Sequence, residues 1–167
     1  IADIETSGIE AEWQWLPTDR LSVGVNFSYL DAKFVRFCQD VDGAFTNGAP
    51  EPRQCGPAEE VFLNGISTGT FSVPVDSTGL DLANAPPYSG SILLDYVVPV
   101  SLGDIKAHLD FRYTDKYNTW GRSNDAAYYR DSVILVNGNI SLTAPEERWQ
   151  IVVYGRNLTD QDVISGR

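Results

Sequence analysis

WQIVVYGRNLTD, residues 149–160, joins an alternating segment to a polar tetrapeptide. Successive side chains of a β-strand point to opposite faces, so every second residue shares a face. The apolar face of this segment carries Trp149, Ile151, Val153 and Gly155. The other, largely polar face carries Gln150, Val152, Tyr154 and Arg156. The segment is therefore predicted to be a two-faced strand that ends at Asn157-Leu158-Thr159-Asp160.

Five earlier segments of the chain alternate in the same way. They are residues 7–15, 21–29, 88–98, 105–114 and 134–143. Short connections at 16–21, 98–105 and 143–149 alternate with long ones at 33–86 and 114–132. Each short connection contains a proline, which is typical of tight turns. The pattern predicts six antiparallel strands joined in order as hairpins.

The connection at residues 33–86 is unusually long. From about residue 35 to residue 83 the alternation gives way to Gly, Pro, Asn, Ser and acidic residues. A compact soluble domain rarely contains such a stretch without secondary structure of its own. Outer-membrane barrels contain it routinely, because their extracellular loops are long and their periplasmic turns are short. The asymmetry therefore favours a transmembrane barrel with the long connections outside the cell.

The polar faces of the strands hold most of the titratable side chains. In a barrel these groups line the lumen, since a basic residue near mid-bilayer costs about 2–4 kcal/mol. If the connection after Val98 is tight, Val98 lies opposite Ile105, and Asp95 then lies opposite His108. The side chains expected to face the lumen are those of Asp95, Lys106, His108, Asp110 and Arg112.

Aromatic residues of the apolar faces fall into two groups. Beside the short turns lie Trp13, Trp15, Tyr96 and Trp149. At the ends next to the long connections lie Tyr29, Tyr88, Phe111 and Tyr113. Two girdles separated by aliphatic residues are typical of amphipathic rings at the two interfaces of a membrane. A β-sandwich with aromatic residues near its rims is the alternative.

The composition limits the functional class. The chain has 167 residues, and none of its apolar runs approaches the roughly 18 residues of a transmembrane helix. Its 12 Lys+Arg and 23 Asp+Glu give a net charge of −11, which argues against nucleic acid because binding to phosphates depends on basic residues. The chain has no Met and no charged leader, so we expect a piece of a longer protein.

Two cysteines, Cys38 and Cys55, lie in the long connection. An even number of cysteines in an exported chain favours a disulfide between them, with two free thiols as the alternative. Residues 40–43 resemble part of a calcium loop, but the alignment puts Cys38 at the first ligand position and Ala49 at the last. We therefore expect neither a metal site nor a cofactor.

The connection at residues 114–132 is the best candidate for substrate contact. Aromatic and arginine side chains on an exposed loop offer stacking area and directed donors for sugars, catechols or flat organic ligands. A loop that folds on its own aromatic residues is the alternative. The candidate residues are Tyr117, Trp120, Arg122, Tyr128, Tyr129 and Arg130. With one His in the chain no catalytic set is indicated, so we do not expect an enzyme.

Three parts of the sequence resemble TonB-dependent outer-membrane receptors. They are the opening Thr6-Ser7-Gly8-Ile9-Glu10-Ala11-Glu12, the Asn84-Ala85-Pro86-Pro87 entry to the third strand, and Asn157 to Asp160. The resemblance covers essentially all of residues 1–167, treated as one domain. It implies an all-β, antiparallel, up-and-down transmembrane β-barrel fragment of about six strands, from a barrel of about 22. The plug and the last strand are expected to lie outside this chain.

The same resemblance implies an active importer in the bacterial outer membrane. Such a protein binds a scarce small molecule or metal chelate, for instance a ferric siderophore or a carbohydrate, at its extracellular loops. Its partners are membrane lipid and the TonB complex, reached through the plug. Two other functions stay open: an extracellular β-sandwich that binds carbohydrate, and a passive porin with an open lumen. The asymmetric connections and the two girdles argue against the sandwich.

Overall fold

The computed structural model describes residues 2–42, 55–56, 59–120 and 126–162. Within these ranges no helix is both long enough and apolar enough to cross a membrane. The helical segments described there are the short 3-10 turns Ala126–Tyr128 and Pro145–Glu147. The strands, numbered in chain order, are β1 (Asp3–Thr18), β2 (Leu21–Arg36), β3 (Cys38–Asp42), β4 (Glu59–Leu63), β5 (Ile66–Asp76), β6 (Tyr88–Val100), β7 (Gly103–Thr114), β8 (Tyr117–Asn118), β9 (Tyr129–Arg130), β10 (Val133–Thr143) and β11 (Gln150–Gly155).

Six of these strands form one open antiparallel sheet in the order β1-β2-β6-β7-β10-β11. Only Asp19 and Arg20 connect β1 to β2, and only Ser101 and Leu102 connect β6 to β7. The long connections both lie at the opposite end. Gly103 has a φ of 137°, and a Cβ there would collide with the carbonyl oxygen of Thr143, so the turn requires glycine. The predicted topology, with short and long connections at separate ends, is confirmed.

Apolar side chains align into continuous rows across one face of this sheet. One row contains, in spatial order, Trp13, Val25, Ile92, Phe111 and Val136. Trp13 is 60% exposed and Ile92 is 45% exposed. The buried hydrophobic residues of the described ranges are only Ala32 and Ala144. A β-sandwich would bury such a face against a second sheet, so the sandwich alternative is wrong.

Both aromatic groups occupy this apolar face. The rings of Trp13 and Trp15 stack with centroids 5.9 Å apart towards the short turns. The rings of Tyr29 and Tyr88 lie 5.2 Å apart towards the long connections. Along β6 the aliphatic residues Ile92 and Leu94 lie between Tyr88 of one group and Tyr96 of the other, as amphipathic rings at two membrane interfaces require.

The first long connection contains strands, although the sequence predicts none there. Within residues 37–87, β3, β5 and β4 form a three-stranded antiparallel sheet in that order. Asn64 and Gly65 form the β4–β5 turn with φ angles of 51° and 79°, the left-handed pair that favours a two-residue hairpin. Strands β3 and β4 have only five residues each, and the longer β5 has no sequence contrast between an apolar and a polar face, so the alternation of all three is too weak to detect. The strands β1 and β2 are also longer than predicted. In the added part of β2 the apolar residues Leu30, Ala32 and Phe34 lie at even positions, whereas the predicted segment has its apolar residues at odd positions, so the alternation changes phase there.

Cys38 and Cys55 form a disulfide with Cα atoms 6.1 Å apart, which fixes the beginning of this connection. Its end runs back along β2. Gly79 N donates to the carbonyl oxygen of Phe34 at 2.7 Å, and Leu82 N to that of Ala32 at 3.0 Å. The beginning of the connection is therefore cross-linked to itself, and its end is hydrogen-bonded to β2 of the main sheet.

Candidate functional site

The polar face of the main sheet follows the predicted register. Val98 lies opposite Ile105, and Asp95 lies opposite His108. The Nδ1 atom of His108 and the Oδ1 atom of Asp95 are 2.7 Å apart, and since a carboxylate can only accept, the imidazole donates. The predicted neighbours are thus in direct contact. Because alternate residues of a strand share a face, Lys106, Asp110 and Arg112 lie on the same side of β7 as His108.

Asp110 is the most buried charged group of this face, with 4% of its surface exposed. Arg112 Nε donates to both of its carboxylate oxygens, at 2.9 and 3.2 Å. Asn137, its cross-strand neighbour on β10, donates from Nδ2 to Oδ2 at 3.2 Å. Burial of a carboxylate costs little only when it is paired and hydrogen-bonded, and Asp110 meets both conditions.

Residues 157–162, which we name the Asn157 turn, fold back onto β10. Asn157 N donates to the side-chain oxygen of Asn137 at 3.0 Å, and Leu158 N donates to the carbonyl oxygen of Val136 at 2.8 Å. Asn157 and Gln161 exchange two further bonds, at 2.9 and 3.0 Å. The turn that follows the last described strand is therefore joined through Asn137 to the Asp110 and Arg112 pair.

The second long connection forms a small hairpin, β8–β9, from the candidate substrate residues. Tyr117 lies opposite Arg130, and Asn118 opposite Tyr129. Arg130 Nη1 lies 3.4 Å from the Tyr117 hydroxyl, and the guanidinium lies over that ring at 5.9 Å. The rings of Trp120 and Tyr128 are 4.5 Å apart. The loop therefore folds partly on its own aromatic residues. Arg122 lies outside the described residues.

A cleft of about 710 Å³ lies between the β8–β9 hairpin and the Asn157 turn, and we name it the loop cleft. It contains three of the predicted residues, Tyr117, Tyr129 and Arg130; Trp120 and Tyr128 are not among its lining residues. Sequence reasoning missed the others, because periodicity does not show that the Asn157 turn approaches the hairpin. The missed lining residues include Thr114, Asp131, Ser132, Val133, Leu135, Asp160, Gln161 and Asp162.

A second, shallower groove of about 390 Å³ crosses strands β1, β2, β6 and β7. Asn26 Nδ2 donates to Ser91 Oγ across it at 3.0 Å. Its polar lining includes Glu10, Glu12, Asn26, Ser28, Ser89, Ser91 and Arg112. In the described ranges no three His, Cys, Asp or Glu side chains are grouped to hold a metal ion.

A family of known proteins matches the sequence of this chain, and a solved structure matches its fold. The family model described as "TonB dependent receptor-like, beta-barrel" matches residues 1–158. The chain belongs to this family. Among solved structures, this TonB-dependent receptor barrel resembles the ferric yersiniabactin uptake receptor FyuA from Yersinia pestis, with a TM-score of 0.65 and 16% identity. The match covers 96% of this chain and 19% of FyuA, so the chain spans about a fifth of that receptor. No curated protein matches it.

Family membership confirms the resemblance that the sequence suggests, and it confirms the all-β barrel fold class. TonB-dependent receptors are transporters of the bacterial outer membrane rather than enzymes. The likeness to FyuA supports the fold alone at this identity.

Proposed function

We propose that this chain is part of the barrel wall of an active importer. The importer would bind a scarce small molecule or metal chelate at its external end and use TonB-coupled energy through a plug outside this chain. The observation that carries the proposal is the sheet itself, which has a continuous exposed apolar face and a polar face held by ion pairs. Such a sheet suits a wall between lipid and a polar lumen.

The charges decide which face meets lipid. Lys106 and Arg112 share the polar face, and each would cost about 2–4 kcal/mol near mid-bilayer. The opposite face carries aliphatic residues and two aromatic groups, which favour contact with the acyl chains and the interfaces of the membrane. Asp95, Lys106, His108, Asp110 and Arg112 would therefore line the lumen, and lipid would contact the apolar face.

The long connections would then lie on the cell surface. Extracellular loops of such barrels are long, and both long connections leave the same end of the sheet. The disulfide between Cys38 and Cys55 suits that oxidising side of the membrane. A substrate arriving from outside would meet the β8–β9 hairpin and the loop cleft first.

Growth of three strains on scarce nutrients tests this function. Wild-type cells, cells without this receptor and cells without TonB are compared on low concentrations of ferric siderophores and of oligosaccharides. We expect the receptor deletion and the TonB deletion to lose growth on the same nutrient. A nutrient that needs the receptor but not TonB would show passive diffusion instead. As a second measurement, the intact receptor in a planar bilayer should have no steady open-pore conductance.

A further inference from the structure

We propose that the loop cleft binds an uncharged, hydroxyl-rich ligand of the carbohydrate class. The proposal rests on the proposed function for the position of the cleft at the cell surface, and it adds the chemistry of the substrate. It depends on three features of the cleft: its size, the carboxylates on its walls, and the positions of the nearby cations.

The loop cleft has the size and the lining of a small-molecule site. Its volume of about 710 Å³ falls within the range of about 300–1,000 Å³ that ligand pockets occupy. Tyr117 and Tyr129 supply aromatic surface, and Val133 and Leu135 supply aliphatic surface. Such a lining suits a ligand that presents carbon-bound hydrogen atoms on one side and polar groups on the other.

The acidic side chains determine which polar groups the ligand must have. Asp131, Asp160 and Asp162 line the cleft and are exposed. An ionised carboxylate accepts hydrogen bonds and cannot donate them, so the ligand must donate. Hydroxyl groups can do so. The oxygens of a carboxylate, phosphate or catecholate would instead face acceptors of the same charge, which is unfavourable.

The cations near the cleft already contact its tyrosine rings. The Arg130 guanidinium lies over the ring of Tyr117 at 5.9 Å, and Lys116 Nζ lies over the ring of Tyr129 at 5.3 Å. Lys116 also lies 4.0 Å from an oxygen of Asp131. A cationic ligand stacked on these rings would meet a like charge, and an anionic one would meet the three carboxylates. In the described part of the chain, the arrangement therefore favours a neutral polyol.

A glycan array probed with the full-length receptor in detergent tests the assignment. The array carries neutral oligosaccharides and acidic ones of similar length that contain uronic or sialic acids. We expect neutral glycans to be retained more strongly than the acidic ones. The double variant Asp131→Asn with Asp162→Asn should weaken binding of the retained neutral glycan about tenfold, because hydrogen bonds to charged acceptors are replaced by weaker ones.

The control is the double variant Asp19→Asn with Asp104→Asn, an equal charge change at two exposed carboxylates at the short-turn end of the sheet, which should leave glycan binding unchanged. Retention of no neutral glycan, or stronger binding of acidic glycans or of ferric citrate, would overturn the ligand class. Unchanged binding in the Asp131 and Asp162 double variant would overturn the site.

Binding at equilibrium needs no TonB, so a receptor that supports TonB-dependent growth but retains no neutral glycan refutes only this assignment. A receptor that retains glycans but conducts steadily refutes only the transport function.

Discussion

Asn137 connects the barrel wall to the turn after its last described strand. Its Nδ2 donates to the buried Asp110, and its Oδ1 accepts from Asn157 N. An amide side chain is suited to this position because it offers a donor and an acceptor at once. The family-like tetrapeptide at residues 157–160 therefore has a structural role, since it completes the hydrogen bonds of the polar face.

We predict that Asn137→Ala destabilises the full-length receptor by about 1–3 kcal/mol, because Asp110 and Asn157 each lose a bond to a partly buried partner. The free energy of unfolding would be measured by urea titration in lipid vesicles. Asn139→Ala is the matched control, two residues further along the same strand face and opposite His108. Equal effects of the two substitutions would contradict a special role for Asn137.

The pairing of Asp95 with His108 could be predicted from sequence, whereas the bonds of Asn137 could not. A tight turn between two alternating segments fixes their register, so one assumed pair determines all others. The Asn157 turn folds back over β10 without any periodicity, and its contacts depend on the path of a loop. Asp160 and Asp162 of the loop cleft could not be predicted either, because their positions depend on the path of the same turn.

Alternation of apolar and polar residues predicts a strand only where the two faces of that strand differ. The six wall strands were recognised because one face is apolar and the other polar, as contact with two different environments requires. Strands β3, β4 and β5 have no such contrast, although Asn64-Gly65 is a strong hairpin signal.

The faces of β6 can be tested with two neighbouring residues. Ile92 lies on the apolar face, four residues from both Tyr88 and Tyr96, and Leu93 lies on the polar face opposite Asp110. We predict that Ile92→Arg lowers the free energy of unfolding in lipid vesicles by about 2–4 kcal/mol, because the guanidinium enters the bilayer core. Leu93→Arg is equal in size and charge, and it should cost much less because it points to the polar face. A larger loss for Leu93→Arg would reverse the division of the two faces.

In the whole receptor, the two ends of the sheet should lie on opposite sides of the outer membrane. The β4–β5 hairpin belongs to a long connection at one end of the sheet, and the β6–β7 turn lies at the other end. Phe62 and Leu102 are suitable reporters there, because they are similarly exposed, at 59% and 63%. Neither contacts the loop cleft.

We therefore predict opposite labelling of Phe62→Cys and Leu102→Cys by a membrane-impermeant thiol reagent. In intact cells that carry the full-length receptor, Phe62→Cys should react because it faces the medium. Leu102→Cys should react only after the outer membrane is permeabilised, because the reagent cannot reach the periplasmic side. Wild-type receptor is the control, since Cys38 and Cys55 are joined and offer no thiol. Labelling of Leu102→Cys but not of Phe62→Cys in intact cells would place the long connections in the periplasm, and the loop cleft could not then receive a substrate from outside.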